Sequence, residues 1–128
     1  MILNRDQDKA HQLANRLHCN AEGLPHLKNC VEEGYDILIN CTPLSMPVDE
    51  RDILPQALVM DIKTKPKETS FLTSARKKGC TIIYGYKMFV GQAVSQFRLW
   101  FKDQLELEAC KRILEREVEK ALGSSNSC

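Results

Sequence analysis

The stretch Ile37-Leu38-Ile39-Asn40-Cys41-Thr42-Pro43-Leu44-Ser45-Met46 decides the fold. Its apolar opening has the length of a strand, and it runs without a linker into amide, hydroxyl and proline, the chemistry of a turn. A run lacking in-out alternation reads as a parallel strand covered by helices on both faces. Open parallel sheets bind ligands beyond the carboxyl ends of their strands. The Asn40 amide and Thr42 hydroxyl therefore stand where a binding edge is sought, although both types also cap turns before proline.

Working outward, Met1-Ile2-Leu3-Asn4 is a short apolar run, and Ala10, Leu13, Ala14 and Leu17 follow it at helical spacing. This predicts a strand feeding a helix over Arg5 to His18, with Asp6 and Asp8 in the first turn, where acids suit the helix dipole. Gly23-Leu24-Pro25 interrupts the pattern, and Pro25 to Glu33 fits one short helix. Beyond a polar loop from Pro43 to Pro55 lies a second continuous apolar run, Ala57 to Ile62, again expected to be covered on both faces.

Lys67 to Gly79 reads as a helix with Phe71, Leu72 and Ala75 on one face and Gly79 as its stop. Cys80 to Tyr84 is a third strand, and strand, helix, strand in this rhythm implies a right-handed crossover in a parallel sheet. Phe89, Ala93, Phe97 and Trp100 form a stripe that predicts a helix over Tyr86 to Phe101 packed on the sheet, its aromatics serving as core. Helical spacing of Leu107, Cys110, Leu114, Val118 and Ala121 continues from Lys102 to Leu122, and Gly123 ends it. The expected organisation is residues 1–101 as one domain, 102–123 as a helical extension and 124–128 as a disordered tail. The extension either folds back on the domain or offers an association surface.

The chain has 128 residues, the size of one domain, and 18 Lys and Arg against 17 Asp and Glu leave a net charge of +1. The charges are interspersed, so no nucleic-acid footprint is implied. No apolar run approaches the ~20 residues of a membrane-spanning helix. Six cysteines without close spacing or a secretory leader read as reduced thiols in the cytoplasm. His18-Cys19 and His26 with Cys30 are the nearest approach to metal-ligand spacing, and no metal site is expected.

Four motifs occur in order: Asn4-Arg5; Asn40-x-Thr42-Pro43-x-x-Met46; Asp61 with Pro66, Thr69 and Leu72; and Gly85 with Met88, Gln92 and Ala93. Together, from Met1 to about Phe101, they resemble the cofactor domain of the shikimate and quinate dehydrogenases. The resemblance implies a partial doubly wound, Rossmann-like α/β parallel sheet plus a long C-terminal helix. The strand and Gly-rich turn that open this domain in the family, and the family's catalytic Lys and Asp, have no counterpart here.

The resemblance further implies NADP as cofactor and a parent enzyme that reduces 3-dehydroshikimate to shikimate with NADPH in aromatic amino-acid biosynthesis. The isolated chain is expected to be inactive. Arg5 would fork onto the 2′-phosphate with Asn4 and Lys9 nearby. Asp6 stands in place of the family's hydroxyl residue and would repel a phosphate or accept from a ribose hydroxyl. Asn40, Thr42, Ile62, Gly85 and Met88 correspond to contacts around the nicotinamide side. Gln92 would reach the substrate, while Thr64 stands where the family has a substrate-side tyrosine. Ser45 occupies a usual glycine position.

In the doubly wound strand order, the family's first strand falls between those of Met1–Asn4 and Asp36–Thr42. These strands are therefore expected to close up, to exchange elements with a second chain, or to depend on an N-terminal polypeptide. Two rival readings are a non-catalytic remnant serving as an oligomerisation or regulatory module and a methylenetetrahydrofolate-type dehydrogenase. The latter fits the strand order but not the Gly85 to Gln92 pattern.

Overall fold

A computed structural model describes residues 1–102 and 106–123. The chain is α/β, the strands among the described residues all pair in parallel, and it divides into two compact units, residues 1–35 and 36–128. The predicted tail and the start of the helical extension lie outside the described residues.

The first unit is built on β1 (Ile2–Asn4), which pairs in parallel with β2 (Ala21–Gly23) in the register Ile2 to Ala21. Between them runs α1 (Gln7–Leu17), whose Ala10 and Ala14 are buried with Ala21 and half-buried Ile2. Asp6 is the N-cap of α1, accepting from Lys9 N–H, and His18 closes the helix in the left-handed conformation. A 3-10 turn at Leu24–His26 leads into α2 (Leu27–Glu33).

The second unit holds β3 (Ile37–Asn40), β4 (Leu58–Asp61) and β5 (Thr81–Tyr84) side by side in that order. The register aligns Asn40 with Asp61 and Asp61 with Tyr84, so one level across the carboxyl edge carries three polar side chains. Helix α3 (Ser70–Lys77), capped by Thr69, packs on β4 and β5 and buries Phe71, Leu72 and Ala75 completely. Helix α4 (Gly85–Phe101) follows β5 directly, and α5 (Leu107–Gly123) packs back on it through Tyr86, Val90 and Leu122. Val94, Leu114 and Val118 complete that seam.

Several expectations need correction. Strand β2 arises from residues with no apolar pattern and exists through pairing with β1. The strand β3 is not covered on both faces: Leu38 is half-buried and Asn40 buried, whereas Ile37 and Ile39, pointing to the opposite face, remain 58% and 50% exposed. Helix α3 starts at Ser70 rather than Lys67, because Thr69 adopts an extended conformation and caps it.

The packing stripe of α4 is Tyr86, Val90 and Val94 facing α5, not the aromatic stripe. Phe89 and Trp100 stay 52% and 67% exposed. Helix α4 ends at Phe101, where Lys102 adopts a φ of 50°, and the helix expected over Lys102 to Leu122 is present as α5 from Leu107. Finally, β1 and β2 form one sheet, and β3, β4 and β5 another.

Candidate functional site

At the exit of β3, Asn40 is buried and fully engaged. Its Nδ2 donates to the Leu44 carbonyl at 2.9 Å, and its Oδ1 accepts from Thr42 N–H and the Thr42 hydroxyl at 2.9 and 2.8 Å. The Thr42 hydroxyl in turn accepts from Leu44 N–H at 3.2 Å. The pair thus folds the turn over itself, an arrangement open to Asn and Thr because each offers polar atoms within reach of its own backbone.

The exit of β4 repeats the device with a carboxylate. Asp61, with no exposed surface, accepts from Lys63 N–H at 3.0 Å and from the Thr69 hydroxyl at 2.8 Å. One side chain therefore ties the strand end to the cap of α3, and the Asp61 to Thr69 spacing in the sequence is the spacing of this clamp. Reading Asp61 only as part of a motif missed that role. The visible signal was a carboxylate closing an apolar run eight residues before a helix-capping threonine.

Lys63 joins the two exits. Its ammonium donates to the Pro43 carbonyl at 3.0 Å and to the Ser45 hydroxyl at 3.1 Å. Between the loops opens a cleft of about 490 Å³, lined by residues 41–43 and 62–65. Of the residues singled out by sequence, Thr42, Ile62 and Thr64 line it.

Gly85 closes the third exit. A Cβ there would lie 2.5 Å from the Ile62 carbonyl oxygen and closer still to that of Lys63, so only glycine permits this approach. Met88 is half-buried one turn further along α4, and Gln92 is exposed on the next turn.

Asn4, Arg5, Asp6 and Lys9 gather at the exit of β1. The Asn4 Oδ1 accepts from Asp6 N–H at 3.1 Å, and the Lys9 ammonium pairs with Asp6 at 3.0 Å. Those contacts to Lys9 hold the Asp6 carboxyl below the usual range. Arg5 is exposed and has no ion pair among the described residues. Lys9, by contrast, is already bound to the carboxylate beside it.

A further cluster lies where β5 meets α4. The Lys67 ammonium sits 5.3 and 5.2 Å from the ring centres of Tyr84 and Tyr86 and pairs with Glu119 of α5 at 3.2 Å. The Tyr86 hydroxyl donates to Glu119; burial, then this carboxylate, pushes its pKa up. On the other side Glu68 accepts from Arg76 and from the Tyr84 hydroxyl, and the guanidinium holds its carboxyl low. Lys67 and Tyr86 pin α5 to the body of the unit through Glu119. No sequence pattern marked them, because they converge from separate elements.

Among the described residues no group of three His, Cys, Asp or Glu side chains could hold a metal ion, and no helix is long and apolar enough to cross a membrane.

No family model matches the chain. By sequence it is 33% identical to the shikimate dehydrogenase (NADP(+)) of Alkaliphilus oremlandii, over 88% of this chain and 45% of that protein. It is 42% identical to the shikimate biosynthesis protein AroDE of Chlamydia muridarum, over 79% of this chain and 20% of that protein.

Among solved structures it superposes with a TM-score of 0.72 and 26% identity on a chorismate mutase/shikimate 5-dehydrogenase fusion protein from Clostridium acetobutylicum, over 91% of this chain and 44% of that one. It matches the shikimate 5-dehydrogenase of Thermus thermophilus, solved with NADP(H) and shikimate, with a TM-score of 0.71 at 24% identity over 89% and 44% of the two chains. The chain thus spans less than half the length of these relatives.

Proposed function

With this chain belonging among the shikimate dehydrogenases, we propose that it is the cofactor-side, C-terminal part of such an enzyme, contributing to a site for NADP(H). The parent reaction would be reduction of 3-dehydroshikimate to shikimate in the cytoplasm, as a step of aromatic amino-acid biosynthesis. Bound NADPH supplies the hydride in that chemistry, and the residues here bind and orient it.

The observation that carries the reading is Arg5, an exposed guanidinium without an ion pair among the described residues, directly behind β1 and at the start of α1. Its planar fork suits a 2′-phosphate. Asn4 and Lys9 stand beside it, while Asp6 withholds part of the Lys9 charge and makes the preference for NADP over NAD modest.

The Asn40 and Thr42 turn, Ile62, Gly85 and Met88 would shape the nicotinamide end, with Thr64 and Gln92 toward the substrate. The pyrophosphate finds no Gly-rich turn in this sequence, and the chain holds no candidate for the family's catalytic Lys and Asp, so unaided turnover is not expected.

Calorimetry with NADP+ and NAD+ tests this directly. NADP+ should bind more tightly than NAD+, and Arg5→Ala should weaken NADP+ by about tenfold, the worth of one charge-assisted contact, while leaving NAD+ nearly unchanged. Equal affinities of wild type and variant for NADP+ would refute the role of Arg5.

A second reading is favoured by the exposed aromatic face of α4. Phe89, Leu99 and Trp100 present apolar surface on one helix, and Ile37 and Ile39 do so on the edge strand β3. Such surface suits association with an N-terminal polypeptide or with a second copy, as an oligomerisation or regulatory module would require. Sedimentation of wild type and Trp100→Gln separates this reading from the first: loss of a dimer in the variant, with NADP+ affinity intact, would favour it.

A further inference from the structure

The loop between β4 and α3, residues 62–69, contributes residues 62–65 to the cleft and is tied down from two directions. At its start, Asp61 accepts from Lys63 N–H and from the Thr69 hydroxyl, and the carbonyls of Ile62 and Lys63 lie against Gly85. At Lys67 the tie comes from the far end of the chain: the ammonium pairs with Glu119 of α5 at 3.2 Å. The same carboxylate oxygen, Oε1, accepts from the hydroxyl of Tyr86, the residue after Gly85. One carboxylate of the last helix thus holds both the loop after β4 and the first turn of the helix after β5, the two segments that meet at Gly85.

Burial gives this tie its strength. An ion pair between half-exposed side chains contributes little by itself, and Lys67 and Glu119 keep 37% and 46% of their side-chain surface. Tyr86, however, is 2% exposed, so its hydroxyl relies on a charged acceptor in place of water. The Lys67 ammonium also lies over the rings of Tyr84 and Tyr86, which hold it where Glu119 meets it. Four residues earlier on α5, Glu115 pairs with Lys87 at 3.0 Å, again in the first turn of α4. The apolar seam of Val90, Val94, Leu114, Val118 and Leu122 could seat α5 on α4 without reference to residues 62–69; Glu119 supplies that reference.

We propose that α5 is a control element for the loop after β4, with Glu119 as its positioning residue. Docked, the helix holds Lys67 and Tyr86 together and fixes residues 62–65 against Gly85; released, it frees them. Whatever lifts α5 therefore loosens the cleft wall, and whatever orders the wall favours the docked helix, because coupling between two sites is reciprocal. The bearing on function rests on the cofactor reading above, but the coupling is measured without ligand, so either idea can fail alone.

The test is amide hydrogen exchange of the 15N-labelled chain, comparing wild type with Glu119→Ala, Lys67→Met and the double variant. Ile62 and Lys63, whose N–H groups donate to the Asn40 carbonyl and the Asp61 carboxylate, should exchange about tenfold faster in each single variant. Leu58 and Thr81, whose N–H groups donate across the opposite, amino edge of the sheet, should keep their rates. Because Lys67 acts through Glu119, adding Lys67→Met to Glu119→Ala should change nothing further. Unchanged exchange at Ile62 and Lys63, equal acceleration at all four amides, or additive effects in the double variant would overturn the proposal. Should Glu119→Ala not fold, Glu119→Gln, which keeps an acceptor for Tyr86 but no charge for Lys67, takes its place in the same comparison.

Discussion

The exit of β1 and the exits of β3 and β4 present similar side chains behind a strand and use them in opposite ways. At β1, Asn4 and Asp6 satisfy groups two and three residues away, in full view of solvent, and Arg5 is left without an ion pair among the described residues. At β3 and β4, Asn40 and Asp61 are buried, and Asp61 binds a hydroxyl eight residues on in another element. Buried polar groups must be saturated, so these hold loops in place; exposed cations have water to lose and a ligand to gain. Motif residues that look alike in sequence thus divide into scaffold and contact by burial.

The sharpest way to break that division is at Gly85. If the exits of β4 and β5 are rigid scaffold, Gly85→Ala must push the new methyl into two carbonyl oxygens of residues 62 and 63, neither of which belongs to a flexible side chain. A loss of about 3 kcal/mol in urea unfolding is expected, the scale of an overpacked site that cannot relax. A loss below about 0.5 kcal/mol would mean that this edge yields, and the scaffold description would fall.

Asn40→Ala is a milder probe of the same side. It removes a donor to Leu44 and an acceptor for two Thr42 groups, leaving polar atoms of the turn to find water. About 2 kcal/mol of destabilisation is expected, with faster amide exchange at Thr42 and Leu44. A substitution that leaves stability intact and instead abolishes nucleotide binding would move Asn40 from scaffold to contact.

How much of this was legible follows from where each signal sits. Three apolar runs placed β1, β3 and β4 within a residue or two, because a continuous run needs no partner to be recognised. Ala21-Glu22-Gly23 carries no such signal, so β2 becomes visible only in its pairing. On α4 two apolar stripes coexist, one with Tyr86, Val90 and Val94 and one with Phe89 and Trp100. Spacing alone could not choose which would face α5.

The exposed faces of Ile37 and Ile39 were hidden for a related reason: an apolar run states that a strand can be covered, not that a cover is supplied.

The smallest expected effect sharpens the comparison from the β1 side. Asp6 caps α1 through Lys9 N–H and pairs with the Lys9 ammonium, and these contacts lower its pKa from 3.8. A depressed folded value means that ionised Asp6 favours the folded helix start. The contribution is complete above about pH 3.8 and is lost as pH falls through the lower, folded value.

The Lys9 amide shift should follow that titration, with its midpoint below 3.8. Asn caps as well as Asp, so Asp6→Asn should keep α1 intact, flatten the titration and release Lys9. If Lys9 and Arg5 then act together on a phosphate, NADP+ should gain over NAD+ by a few fold in the variant. A midpoint at or above 3.8 would show that Lys9 does not stabilise the Asp6 carboxylate. A helix start that frays in Asp6→Asn at neutral pH would show instead that the β1 exit is held by charge alone. In that case it would have to be classed with the scaffold rather than with the contacts.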